Sequence, residues 1–123
     1  METASKTLGI LGEELASHYV RKRGYKLLVR NYRCPLGEID LVARDRNTLV
    51  FIEVKTRRSL ERGLPTESIT SHKRAQITRC AQYYLKQYAV SEVPCRFDAV
   101  SVILSPEKEP DIELIRDAFR EGL

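Results

Sequence analysis

Cysteine and histidine are scarce in this 123-residue chain, which has only Cys34, Cys80 and Cys95, His18 and His72. A zinc site needs about four N or S ligands in clustered pairs. The cysteines are odd in number, widely spaced and without a C-x-x-C pair, so they read as buried thiols, and Cys34-Pro35 reads as a turn. Six glycines and five prolines are too few for a collagenous or low-complexity chain. No apolar run approaches the ~18–20 residues that cross a bilayer; the longest are Leu49-Val50-Phe51-Ile52 and Ala99–Leu104. The first residues, Met1-Glu2-Thr3-Ala4-Ser5-Lys6, show no basic stretch followed by an apolar one, so the expected location is cytoplasmic. What is present, 42% hydrophobic and 31% charged residues, fits one globular domain over 1–123. Its core is expected over about 8–104, with a C-terminal extension over 105–123.

The net charge of +4 is unevenly spread. Residues 1–104 hold 18 Lys or Arg against 11 Asp or Glu, and residues 105–123 hold 3 against 6. Arg21, Lys22, Arg23, Lys26, Arg30 and Arg33 form an acid-free basic group. Lys55, Arg57, Arg58 and Arg62 form a second, and Lys73, Arg74, Arg79 and Lys86 a third. If the groups converge, they make a phosphate-binding surface, with the acidic end held away from it.

Apolar spacing predicts a helix from about Leu8 to Lys22, with Leu8, Leu11, Leu15 and Tyr19 on one side and Gly9, Gly12 or Glu13, Ala16 and Val20 on the adjacent one. Gly24 is its stop signal. Strands follow at Tyr25–Arg33, Glu38–Asp45 and Thr48–Thr56, the third apolar on both faces at its start, as in a strand covered on both sides. In the second, alternation puts Ile39, Leu41 and Ala43 on one face and Glu38, Asp40 and Val42 on the other. A helix over Ser71–Tyr88, with Ile77, Ala81, Tyr84, Leu85 and Tyr88 as its stripe, leads to a strand over Arg96–Leu104. A short strand at Ile112–Ile115 and a terminal helical turn complete the order. Three consecutive strands predict a meander, and the strand–helix–strand unit after them a parallel crossover.

Glu53 and Lys55 are two apart in a strand and so share a face. On an exposed strand they would be a minor surface pair. At the end of an otherwise buried strand they sit where α/β sheets bind ligands. A hairpin centred near Arg46-Asn47 brings Asp40 roughly opposite Glu53. Two close carboxylates repel unless a cation separates them. Lys55 is one such cation, and a hard divalent metal with oxygen ligands another. Carboxylates, a metal ion and a lysine are what metal-assisted phosphodiester hydrolysis uses.

Asp40 followed by Glu53-x-Lys55 resembles the signature of the PD-(D/E)XK nuclease superfamily. The element order resembles its restriction-endonuclease-like α/β core: helix, three strands, helix and strand, with a mixed central sheet flanked by helices. More narrowly, the chain resembles the YraN family, which is similar to archaeal Holliday junction resolvases. The matching blocks are Gly12-Glu13-x-x-Ala16, Gly24-Tyr25, Arg30-Asn31-Tyr32, Gly37-Glu38-Ile39-Asp40-Leu41, Val50–Lys55 with Arg57, Lys73, Arg96-Phe97-Asp98 and Asp117-Ala118-Phe119. The resemblance implies Asp40 and Glu53 as ligands of Mg2+ or Mn2+, Lys55 as catalytic lysine, and Glu13 as a third carboxylate, with Glu14 as its substitute. It also implies DNA contacts, for which Arg30, Arg33, Arg57, Arg58 and Lys73 are candidates. Gln76 departs from the family, which usually has a basic residue there.

Glu38 has two readings, a neighbour of the metal site or a solvated acid, and Asp98 is expected to pair with Arg96. The leading expectation is a metal-dependent DNA endonuclease, acting as a homodimer where both strands are cut. The alternative is a nucleic-acid-binding module with the nuclease fold and little or no turnover, and a third reading is a scaffold whose charges are structural.

Overall fold

Helix α1, Ala4–Lys22, ends where the chain turns left-handed at Gly24 (φ 93°). The N–H of Tyr25 donates to Val20 O and that of Gly24 to Arg21 O, satisfying carbonyls that the helix end leaves open. Strand β1 (Lys26–Cys34) follows, then β2 (Gly37–Asp45), β3 (Thr48–Arg57), helix α2 (Ser71–Gln87), β4 (Cys95–Ile103) and β5 (Asp111–Phe119). The computed structural model describes residues 4–58 and 69–120. Arg62 of the second basic group lies outside the described residues.

The strands form one sheet in the order β1-β2-β3-β4-β5. The meander β1–β2–β3 is antiparallel, β3 and β4 run parallel across the α2 crossover, and β5 returns antiparallel to β4. This is the mixed α/β architecture expected, consistent with a restriction-endonuclease-like core. The helices cover opposite faces. Leu49 and Phe51 pack with Ile77, Cys80, Ala81 and Tyr84 of α2. Val50 and Ile52 pack with Ala16 and Val20 of α1. β3 is therefore the central strand, apolar on both faces because both are covered.

On α1 the buried face is the one with small residues. Gly12, Ala16, Ser17 and Val20 are buried, whereas Leu11 is 44% exposed. A Cβ on Gly12 would lie 1.7 Å from Thr56 Oγ1 and 2.7 Å from Thr56 Cβ, so the helix backbone rides directly on β3.

Three local expectations change. Ile39 packs with Val42 on the α2 side, while Leu41 and Ala43 pack on the α1 side. Alternation breaks next to Asp40, where Asn31 on β1 has a φ of 53° and the β2–β3 ladder has ended. Tyr88 is exposed, because it caps α2 instead of continuing its stripe. The C-terminal segment is a nine-residue strand, Asp111–Phe119, longer than the expected Ile112–Ile115, and the described residues through Arg120 hold no helical turn; residues 121–123 lie outside the described residues. A register shift opposite Phe97–Ala99 and a φ of 53° at Asp117 disrupt its period. Phe119 stacks on Phe97 with ring centroids 4.7 Å apart, which holds the strand to its end. This strand is the sheet edge opposite β1.

Asp98 is fully buried on β4 and its pairing with Arg96 is present, Nε to Oδ1 at 2.8 Å. Its carboxylate also accepts from Tyr25 Oη (2.6 Å) and from the backbone N–H of Asp117 (2.9 Å). Arg96 reaches Asp45 at 3.0 Å, so β2, β4, β5 and the residue that leads into β1 meet in one network. Replacing one partner of a buried pair strands the other charge. Asp98→Ala is expected to cost about 3–5 kcal/mol in urea unfolding. Gly12→Ala should cost about 1–3 kcal/mol by pushing α1 off β3. Thr56→Ala as companion should restore only part of it, since the Cβ at 2.7 Å remains.

Candidate active site

The β2–β3 ladder stops at Leu41↔Ile52, one step before Asp40 and Glu53 would pair. There the strands part, and Asp40 Oδ2 accepts the backbone N–H of Val54 at 2.7 Å. Glu53, one residue before Val54, shares the α2-side face with Phe51 and is only 8% exposed. The two carboxylates thus sit side by side at the open end of the hairpin. Val54 also belongs to the α1-side core, which anchors the donor that holds Asp40.

Each helix adds one charged group. The close approach at Gly12 brings the next residue, Glu13, to the sheet beside Asp40. Asn31, across from Asp40 on β1, turns left-handed, a conformation that Asn tolerates. With its amide nitrogen facing inward, it donates to both Glu13 oxygens at 3.0 and 3.1 Å. On α2, the side chain of the N-cap Thr70 accepts the N–H of Lys73, fixing that residue in the first turn. The Lys73 ammonium then lies 2.5 Å from Glu53 Oε1. Asp40, Glu53 and Lys73, together with Arg33, Glu38 and Gln76, line a cleft of about 600 Å³. A second cleft, of about 730 Å³, lies at the other end of the sheet by Arg96, Asp117 and Arg120. Those charges are already matched by the Asp98 network and the Arg120–Asp117 pair.

Burial and carboxylate repulsion dominate the electrostatics. Burial, together with the charge of Glu13, pushes Asp40 up to about 7 against the opposing Val54 N–H bond. Burial and the charge of Asp40 push Glu53 up to about 7 against the opposing Lys73. For Lys73, burial favours the neutral amine, but the bond and charge of Glu53 and the charge of Asp40 outweigh it and raise the value.

The expected residues distribute as follows. Asp40, Glu53 and Glu13 come together, whereas Glu14 is exposed. Lys55 follows Glu53 on the same face of β3, but the ammonium on Glu53 belongs to Lys73, on an element 18 residues further along the chain. Lys73 adds a cation beyond the two that the spacing offered for this carboxylate pair, Lys55 and a metal ion. Glu38 is exposed and pairs with Arg33 at 3.3 Å. Arg30, Arg33 and Arg58 are exposed; Arg57 is buried and stays off the exposed basic surface. Gln76 Nε2 donates to Leu36 O at 3.5 Å and packs on Gly37, so it braces the β1–β2 turn. Asn31 and the Lys73–Glu53 pair were not deduced from spacing. The one signal for Asn31 was an Asn inside a strand, a residue suited to left-handed backbone.

No three or more His, Cys, Asp or Glu side chains form a metal cage among the described residues. The acids instead run in a row, Glu13 beside Asp40 and Asp40 beside Glu53. Such a set fits a hard cation of the Mg2+ type, which one or two carboxylates hold while water and phosphate complete the shell.

Because Asp40 and Glu53 both sit above the ordinary carboxylate range, the native chain binds more protons than the unfolded one between about pH 4 and pH 7. Their contribution to stability is full below that window and is lost as pH rises through about 7. Without divalent cations, the melting temperature should fall between about pH 5 and about pH 8. Asp40→Asn should flatten the fall, and an unchanged slope by calorimetry would count against the repulsion.

No described helix is long and apolar enough to cross a membrane. The model of the uncharacterised protein family UPF0102 matches residues 12–102. The chain is 45% identical over 115 residues to a UPF0102 protein of Caldicellulosiruptor saccharolyticus, covering 93% of this chain and 98% of that one. It is 46% identical over 103 residues to one of Caldanaerobacter subterraneus, covering 84% of each. It is 45% identical over 116 residues to one of Geobacter sulfurreducens, covering 94% of this chain and 90% of the relative. The matched region contains every group of the cleft, and the chain belongs to the uncharacterised protein family UPF0102, the YraN family that its motifs resemble.

Proposed function

We propose that this protein is a divalent-metal-dependent endonuclease that hydrolyses phosphodiester bonds of DNA at branched or otherwise structured sites. The observation that carries the reading is the Asp40–Glu53 pair at the open end of the hairpin, with Lys55 on the same face of β3. Asp40 and Glu53, with Glu13 beside them, would hold Mg2+ or Mn2+. When bound, that ion supplies a lowered pKa for water and neutralises phosphate charge.

The chain's own groups do the rest. The Val54 N–H holds one oxygen of Asp40 and leaves the other to the cleft. Asn31 holds Glu13 in place. Lys55 offsets charge that develops on the phosphate. Arg30, Arg33 and Arg58 are exposed and would neutralise flanking phosphates, so affinity should fall steeply with salt. Phosphate contacts of this kind position a duplex without reading bases, which favours recognition by shape. Cutting both strands would take two sites and hence a homodimer. The free thiols Cys34, Cys80 and Cys95 suit a cytoplasmic setting.

The test is cleavage of labelled duplex, single-stranded, RNA and four-way-junction substrates with Mg2+, Mn2+ or EDTA. Asp40→Ala and Lys55→Ala should each lower the rate about a hundredfold or more. An undiminished rate in either variant would refute the site. Salt-sensitive binding without cleavage would identify a nucleic-acid-binding module with the nuclease fold.

A further inference from the structure

Lys73 stands in an unfavourable place by local rules. It lies in the first turn of α2, which has no acidic residue, beside Arg74. Positive charge near a helix N-terminus opposes the helix dipole. It is held there from outside the helix, by Glu53 Oε1 at 2.5 Å. Glu53 is almost wholly buried, whereas the Lys73 side chain is 39% exposed. One partner is therefore fixed and the other has a path into the cleft.

We propose that Lys73 is an internal counter-ion that occupies Glu53 in competition with the divalent cation and is released into the cleft when that cation binds. This rests on the metal-site reading above. The physical reason is charge: the Asp40–Glu53 pair needs a neighbouring positive charge, and an ammonium in contact with Glu53 repels a divalent ion bound there. With the carboxylate taken, the ammonium moves to the cleft, on the side where a phosphate would meet Arg33 and Lys55. Lys73 is thus a positioning residue. It keeps the buried carboxylate compensated without metal and supplies a cation to the substrate side once metal is present.

The competition is read without turnover. Mn2+ binding to the full chain is measured by electron paramagnetic resonance for wild type, Lys73→Ala, Lys73→Gln and Asp40→Asn. Removing the ammonium should tighten Mn2+ binding by about tenfold or more. Asp40→Asn should weaken it. In parallel, the Lys73 Nζ resonance of the wild type, assigned by its loss in Lys73→Gln, should shift on titration with Mg2+ as the ion pair opens. The Ala and Gln variants are used together, with melting curves, so that loss of fold in one leaves the other to report. Mn2+ affinity equal to wild type in the folded variants, with Asp40→Asn still weakened, would overturn the competition and leave the metal site standing. No Mn2+ binding in the wild type or any variant would overturn both.

Discussion

Two carboxylates placed side by side, Glu53 buried and Asp40 half-buried, are the constraint around which this protein is arranged. Asp40 and Glu53 repel, and burial makes each charge harder to hold, so the surrounding structure must compensate. Two separate groups do so, and a third contact steadies the neighbouring acid. A backbone N–H from Val54 is available to Asp40 because the β2–β3 ladder ends there. The Lys73 ammonium comes from the first turn of α2. Asn31 fixes the third acid, Glu13, from a left-handed position on β1. A site that keeps this much unfavourable charge in the fold is a standard mark of function, because stability alone would select against it.

The opposite end of the sheet follows the reverse logic. Asp98 is as deeply buried as any described residue, yet its partners complement its charge or donate hydrogen bonds to it. The network joins β2, β4 and β5 to Tyr25 at the entry of β1 and ties that end of the sheet together. The chain thus holds one satisfied ionic cluster, which anchors the strands, and one frustrated cluster, which faces a cleft. The contrast separates the two acidic clusters more clearly than burial does, since Glu53 and Asp98 are both buried.

Much of this was legible in the residues. The double-sided apolar run of β3 identified the central strand, and the change to Glu53 and Lys55 marked where it leaves the core. Hairpin arithmetic brought Asp40 opposite Glu53, and the register bears that out to within the last pair. Periodicity failed where the backbone is irregular: at Ile39, beside the ladder's end, and along β5, where a register shift and the left-handed Asp117 disturb the alternation. It also gave no preference between the two candidate faces of α1. The packed one is chosen by small residues, because Gly12 lets the helix backbone touch Thr56.

Scarcity of cysteine and histidine, the order of strands and helices, and the Asp40, Glu53 and Lys55 spacing were determined by the sequence alone. Those properties are local or follow from strand period and hairpin geometry. Tertiary structure decided which cation meets Glu53, which of Glu13 and Glu14 reaches the site, and that Arg57 is buried. Each of these depends on how a helix docks on the sheet or on how deeply a strand end is covered. Lys73 is 20 residues from Glu53 in the chain, and only the crossover of α2 over the parallel β3–β4 pair brings its ammonium to the carboxylate.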